Sequence, residues 1–295
     1  MTQATRRFPD EMSAREKFLF DLNGYLVVPA VVETHEIDQL HRAIDAHSDT
    51  HAYSTLGTGQ ENSASLTGSR RRMGMRIDPL RLPAESAQPF RRLIAHPKVR
   101  RLLDTLVGRG WRLDSAPEVI MSDKGADGLF MHGAGSRWFS PAAYYVCKND
   151  VIRCGLVNVE FVLTDEGASD GGFACIPGSH KSNFGCPVPI RKWESDQDLI
   201  RKVPMNRGDI LLFSEALLHG SLPWTADHQR RVVIYRYVHK ALAVAPPAAQ
   251  YHEQVQPSWV EDLPEAERLA LQGPYLSERR VLRDDGNVEG ATEWY

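Results

Sequence analysis

The sequence predicts a mainly β protein with flanking helices. Two observations carry this expectation. Between Trp111 and Val238, short apolar runs recur, each bounded by Gly, Pro, Asp or Ser. Apolar residues at helical spacing are confined to the stretches before and after that region. Closely spaced strands with little helix between them imply an antiparallel sandwich or barrel rather than a parallel sheet.

The elements follow in chain order. Ser13-Ala14-Arg15-Glu16 has the form of a capping box, which starts a short helix through Phe18 to Leu22. Asn23-Gly24 stops it, and Tyr25–Pro29 reads as a strand. Thr34 then caps a longer helix with Ile37, Leu40 and Ile44 on one face and with Glu36 and Asp38 near its positive end. Residues 52–83 are rich in Gly, Ser, Thr and Arg without a sustained period, which predicts a long loop and a candidate lid. Val99, Leu102, Leu103 and Val107 share a face of a helix over 97–107. Strands are expected at Pro117–Met121, Leu129–His132, Gly155–Asp165, Phe173–Ile176, Asp209–Phe213 and Arg231–Val238. Pro264 opens a last helix that Gly273-Pro274 ends, and beyond Arg279 a polar, loosely held tail is expected.

Composition narrows the function. With 42% hydrophobic and 25% charged residues the chain is an ordinary globular one, not disordered, collagen-like or coiled-coil. No run of about 18 apolar residues is present, so no membrane helix is expected. The first residues lack the apolar core of a secretion signal, and a cytoplasmic location is expected. A net charge of −3 argues against binding a nucleic-acid polymer, though not against a small phosphorylated ligand. The cysteines, Cys147, Cys154, Cys175 and Cys186, form no C-x-x-C pair and are expected to be reduced and mostly buried.

Two histidines stand out. Phe130-Met131-His132-Gly133-Ala134-Gly135 and Leu217-Leu218-His219-Gly220-Ser221 each end an apolar run at small residues. That pattern puts an imidazole at the mouth of a barrel, where ligands and metals are held. Either histidine taken singly reads more readily as a hydrogen-bonded structural residue than as a ligand.

The wider pattern is more specific. Tyr25–Pro29 with Glu36-Ile37 and Leu40 comes first, then Cys175-Ile176-Pro177-Gly178-Ser179-His180-Lys181. Arg207-Gly208-Asp209-Ile210-Leu211-Leu212-Phe213, His219-Gly220-Ser221 and Arg230-Arg231 follow. In this order, over roughly residues 17–240, they resemble the phytanoyl-CoA dioxygenase family. The resemblance implies a double-stranded β-helix (a jelly-roll, cupin-like core) that uses Fe(II), 2-oxoglutarate and O2. It implies His132 and His219 as the two histidine ligands of a two-histidine, one-carboxylate iron site. It also implies Arg230 and Ser221 as contacts of 2-oxoglutarate; the planar fork of arginine suits a carboxylate. Arg230 shares a strand face with Val232 and Ile234, and Arg231 points to the other. His180 lies in a run that holds no ligand in the family and reads as structural.

The chain departs from the family at Ala134, where the carboxylate ligand is expected and a methyl group stands instead. The one His-x-Asp, His47-Ser48-Asp49, falls at the end of the second helix, away from any ligand strand. Iron-dependent halogenases resemble this family but carry His-x-Ala or His-x-Gly, with chloride on the iron. The expectation is therefore a halogenase with Gly133 and Ala134 bordering the halide pocket, chlorinating an unactivated C–H in a biosynthetic pathway. A hydroxylase and a metal-free binding barrel are the alternatives.

Asn158 and Glu160 share one face of the Gly155–Asp165 strand, opposite Val157, Val159, Phe161 and Leu163. Their face lines the cavity or meets solvent, and the resemblance favours the cavity. Arg70-Arg71-Arg72 and Arg76 fall in the expected lid, as solvated charge or as a phosphate clamp. Arg71, Arg72 and Arg76 thus join Asn158 and Glu160 as candidate substrate contacts, with a nucleotide or other phosphorylated small molecule as the first guess. Residues 1–295 are expected to form one catalytic domain, with N-terminal helices over 12–107, the β core over 111–240 and a helical extension over 241–295.

Overall fold

The structure, a computed structural model, describes residues 12–54, 63–133, 142–246, 249–251, 257–274, 280–282 and 287–290. Helix α1 (Ala14–Asn23) begins at the expected capping box. Glu16 N donates to Ser13 Oγ at 3.2 Å, and Ser13 N donates to Glu16 Oε2 at 2.7 Å. Arg101 clamps the same carboxylate through both Nη atoms, at 2.8 and 2.7 Å. The Arg101 hydrogen bonds hold Glu16 well below its ordinary 4.5, at about 2. A carboxylate lowered on folding adds stability above its unfolded value and loses it as pH falls toward the folded one. Thermal unfolding should therefore show an acid limb between about pH 4.5 and 2, and Arg101→Met should flatten it. An unchanged limb would detach this pair from acid stability.

Strand β1 (Tyr25–Val28) leads to α2 (Thr34–Ala46). The cap of α2 is Glu33, one residue earlier than expected: Glu33 N donates to Glu36 Oε2 at 2.9 Å, so Thr34 is already helical. The expected lid at 52–83 is structured where described. It holds β2 (His51–Tyr53) and β3 (Met73–Met75), antiparallel partners in the register Ala52↔Gly74. Ladder bonds to a neighbouring sheet need no hydrophobic period in the strand itself, so the composition concealed them. Helices α3 (Ala84–Leu93), absent from the sequence reading, and α4 (Pro97–Leu106) follow.

The β region comprises β4 (Arg112–Leu113), β5 (Glu118–Ser122), β6 (Leu129–His132), β7 (Tyr145–Lys148), β8 (Val151–Cys154), β9 (Leu156–Val162) and β10 (Gly172–Cys175). After the short α5 (Val188–Arg191) come β11 (Arg201–Lys202), β12 (Ile210–Ser214), β13 (His219–Leu222) and β14 (Arg230–Val238). An eight-stranded sheet runs β1-β12-β9-β14-β5-β3-β2, with β4 beside β14. A four-stranded sheet runs β11-β10-β13-β6. Every strand pairing is antiparallel, and the two sheets form a jelly roll. Helix α6 (Glu265–Ala270) starts after Pro264 as expected. Beyond it, β15 (Arg280–Leu282) and β16 (Val288–Gly290) pair as a hairpin, so the segment after Arg279 is neither loose throughout nor purely helical where described.

Side-chain alternation on the central strands divides the molecule into two compartments. Val157, Val159 and Phe161 of β9 join Ile37, Leu40, Phe90 and Leu102 of the helices in one core. Each such side chain contributes roughly 1.5–3 kcal/mol on burial. On β14, Tyr235 donates its hydroxyl to Phe90 O at 2.7 Å and Tyr237 donates to Ile94 O at 2.8 Å, tying the end of α3 to the sheet. Arg231 lies on this helix side and reaches Asp45 of α2 at 2.7 Å. The opposite face of β9 and β14 looks toward the smaller sheet. There Val162 packs with Phe173, Cys175, Leu211, Phe213 and Leu217 beside a polar cavity.

Two of the four cysteines are buried, not most. Cys154 and Cys175 are enclosed, whereas Cys147 is exposed and Cys186 partly so; all four are free thiols. Cys147 sits on the hairpin β7–β8, whose strands leave their outer face uncovered. Burial pushes Cys154 and Cys175 up to about 12, which keeps them as inert thiols. His180 is buried, and its Nε2 meets Asp21 O at 3.1 Å, consistent with a structural residue. Among the described residues no helix is long and apolar enough to cross a membrane.

Candidate active site

The two sheets enclose a cavity of about 370 Å³. His132 ends β6 and His219 begins β13, and the ladder makes them direct cross-strand partners. Their ring centroids are 4.1 Å apart with a 52° tilt. His132 Nδ1 lies 3.1 Å from Phe130 O, and His219 Nδ1 lies 2.8 Å from Leu217 O. A carbonyl only accepts, so each Nδ1 carries the proton and each Nε2 keeps its lone pair. Burial, with His219 adding repulsion, drives His132 down to about 3, and burial lowers His219 as well. Both rings are therefore neutral at pH 7, the form that binds a metal.

The backbone supports this pairing. Gly133 has φ +118, and a Cβ there would lie 2.2 Å from Leu217 O. Only glycine allows the chain to leave His132 against the β12–β13 turn. Phe213, 4.6 Å from the His219 ring, and Phe173, 6.2 Å away, cover the imidazole with apolar surface. Ala134 lies outside the described residues. Among those described, no group of three His, Cys, Asp or Glu side chains is close enough to hold an ion.

Asn158 and Glu160 line the cavity, and each is 2% exposed, so the solvent-facing alternative is set aside. Their whole strand is buried because β9 has β12 and β14 on its edges, helices on one face and the smaller sheet on the other. Asn158 Nδ2 donates to Glu215 Oε2 at 2.8 Å. Arg230 is buried and already engaged: Nη2 donates to Glu160 Oε1 at 2.6 Å and Nε donates to Glu166 Oε1 at 2.8 Å. Gly172, at φ +78, makes room for this pairing, since a Cβ there would fall 2.3 Å from Glu166 Oε2. Ser221 Oγ is buried on the cavity wall without a hydrogen-bond partner among the described residues. A buried hydroxyl left unpaired costs free energy unless a ligand satisfies it.

The arginine cluster divides. Arg72 is buried on the cavity wall and Arg76 lines its exposed edge. Arg71 turns away: its Nη2 donates to Ser54 O at 2.6 Å and its guanidinium lies 5.8 Å from the Tyr53 ring. Arg71 is not part of the cavity lining. The β2–β3 pairing sets this split, because alternate residues entering β3 face opposite sides. Sequence reasoning missed Glu118, Glu166, Glu215 and Arg236. Arg236 donates to Glu118 at 2.7 Å across β14 and β5. The available signal was acidic residues set within or directly after apolar runs, as in Phe213-Ser214-Glu215-Ala216.

This jelly roll gathers a pair of neutral imidazoles and a buried arginine on the walls of one cavity, the kind of concave enclosure in which small molecules bind. The chain belongs to the phytanoyl-CoA dioxygenase (PhyH) family, whose profile matches residues 20–232. No curated protein matches it. Similar solved structures include HygX from Streptomyces hygroscopicus with nickel and 2-oxoglutarate bound. Its TM-score is 0.62 at 20% identity, covering 84% of this chain and 93% of that one. The epimerase SnoN, in complex with Fe3+, alpha ketoglutarate and nogalamycin RO, gives 0.54 at 20% identity, covering 85% and 90%. AviO1 from Streptomyces viridochromogenes gives 0.56 at 18% identity, covering 79% and 97%. At these identities the likeness is one of fold.

Proposed function

We propose that the protein is a non-haem Fe(II)- and 2-oxoglutarate-dependent halogenase acting on an unactivated C–H of a small molecule. Family membership supports the 2-oxoglutarate oxygenase part of this reading. The observation that carries the halogenase part is Ala134, two residues past His132, where a ligating carboxylate is expected and no donor atom exists. The residues fit the metal: two neutral imidazoles with Nδ1 pinned by carbonyls offer two Nε2 lone pairs. They also fit the co-substrate, through Ser221 Oγ, unpartnered among the described residues, and the buried Arg230 on the wall of the same cavity.

His132 and His219 would hold the iron, and Arg230 with Ser221 would take the distal carboxylate of 2-oxoglutarate. Iron, 2-oxoglutarate and O2 together supply the oxidising chemistry that replaces a hydrogen atom on carbon, here by chlorine. The protein's own part is geometric. The Phe130 and Leu217 carbonyls fix the ring tautomers, Phe173 and Phe213 exclude water beside His219, and Asn158 orients Glu215. Gly133 and Ala134 supply no ligating atom beside His132, so a chloride rather than a side chain would complete the ligand set. Arg72 and Arg76 on the cavity wall make a phosphorylated metabolite, a nucleotide among them, the first substrate class to test.

Hydroxylation is the second reading, favoured by Glu215. Its carboxylate lines the cavity near enough to pull His219 upward against burial, and it opposes an incoming halide. Chloride titration of the anaerobic Fe(II)·2-oxoglutarate protein separates the readings. A visible charge-transfer band that shifts and saturates with chloride is expected, and Ala134→Asp should abolish that shift. A band indifferent to chloride would move the assignment to hydroxylation. No band at all would leave a binding barrel without metal.

A further inference from the structure

Arg230 carries more negative charge than one guanidinium neutralises. Its Nη2 holds Glu160 at 2.6 Å and its Nε holds Glu166 at 2.8 Å, with all three side chains 6% exposed or less. Its third nitrogen, Nη1, has no hydrogen-bond partner among the described residues, and Arg230 lines the cavity. An anionic ligand arriving there becomes the third carboxylate on one cation in a dry interior. Like charges so placed repel strongly unless one of them takes up a proton.

Glu160 is the group placed to do so. Glu166 is anchored twice, by Arg230 and by Phe173 N at 3.4 Å, and it lies outside the cavity lining. Among the described residues Glu160 accepts only from Arg230, and it faces the cavity. The other charged groups around it are Glu166 after β9, Glu118 on β5 paired with Arg236 of β14, and Arg72 before β3. Glu215, on the turn after β12, is bound to Asn158, and the smaller sheet contributes His132 and His219, neither hydrogen-bonded to Glu160. Burial raises the Glu160 carboxyl above the ordinary carboxylate range, against the pull of Arg230 and with the push of Glu166 and Glu118.

We propose that Glu160 is a proton-carrying positioning residue of the co-substrate site. It takes up one proton when the distal carboxylate of 2-oxoglutarate reaches Arg230, and its neutral carboxyl then donates to that carboxylate. This rests on the 2-oxoglutarate reading above. The direction follows from the chemistry. The neutral form is the binding form, so affinity holds while Glu160 is protonated in the free protein and falls about tenfold per pH unit once it ionises.

The test is calorimetric titration of 2-oxoglutarate into the anaerobic Fe(II)-loaded full chain, from about pH 6 to 8.5. Paired buffers of different protonation enthalpy count the protons. The wild type should take up close to one proton at the alkaline end and weaken tenfold per pH unit. Glu160→Gln, neutral and still a donor, should bind with the low-pH affinity at every pH and take up none. Binding by the wild type that ignores pH and moves no proton would overturn the proposal, and so would loss of binding in a folded Glu160→Gln. If that variant fails to fold, the wild-type proton count decides alone. Absence of binding to either protein at every pH would instead reject the 2-oxoglutarate reading.

Discussion

His219→Ala is expected to remove metal binding and all iron-dependent turnover. The argument is one of donor count. The cavity offers an ion two imidazoles as cross-strand partners, and one imidazole alone cannot hold a divalent ion against water. Removing an outer partner of a metal ligand costs about 10–100-fold in affinity, so removing the ligand itself should exceed about 100-fold. The ring is also packed between Phe213 and Phe173, so the substitution opens a gap. Circular dichroism and thermal unfolding separate that packing loss from metal loss. Titration with Fe(II) or Ni(II) is the deciding measurement. Wild-type affinity in the variant would reject His219 as a ligand, whatever its activity.

Arg230→Met should destabilise the fold by about 3–5 kcal/mol at pH 8, the range expected when one partner of a buried ion pair is removed. Two carboxylates, Glu160 and Glu166, would remain in the interior without their cation. The loss should be smaller at pH 6. Without the arginine both groups can stay buried only as neutral acids, so their folded values lie above the unfolded one. A carboxylate raised on folding loses stability as pH rises toward the folded value. Adding Glu160→Gln and Glu166→Gln should recover most of the loss, because neutral amides need no counter-charge. Urea unfolding at the two pH values checks both statements. A pH-independent loss, or a triple variant no better than the single one, would show that Arg230 acts through packing alone.

The two predictions concern opposite walls of one cavity, and the walls were not equally legible in the chain. Both histidines could be located because their signal is local: an apolar run ending in small residues puts a side chain at a strand terminus. The alternation on 156–162 separated Val157, Val159 and Phe161 from Asn158 and Glu160 for the same reason. Period-2 alternation is a property of the strand itself. The β2–β3 pair was hidden, since short edge strands borrow their hydrogen bonds from a sheet built by distant residues.

By itself, then, the sequence determined the β content, the strand ends that carry His132 and His219, the methyl group at position 134 and the face on which Arg230 lies. Tertiary structure alone decided what each face meets. It turned the polar side of β9 inward, sent Arg72 to the cavity and Arg71 away, and brought Glu215 to within electrostatic reach of His219. It also set two carboxylates on Arg230, from positions 64 and 70 residues away along the chain. The physical reason is that a strand encodes which residues share a side, whereas the partner across a sheet or a cavity is chosen by packing of the whole domain. The charge state of a buried group follows from that partner, and no local pattern in the chain records it.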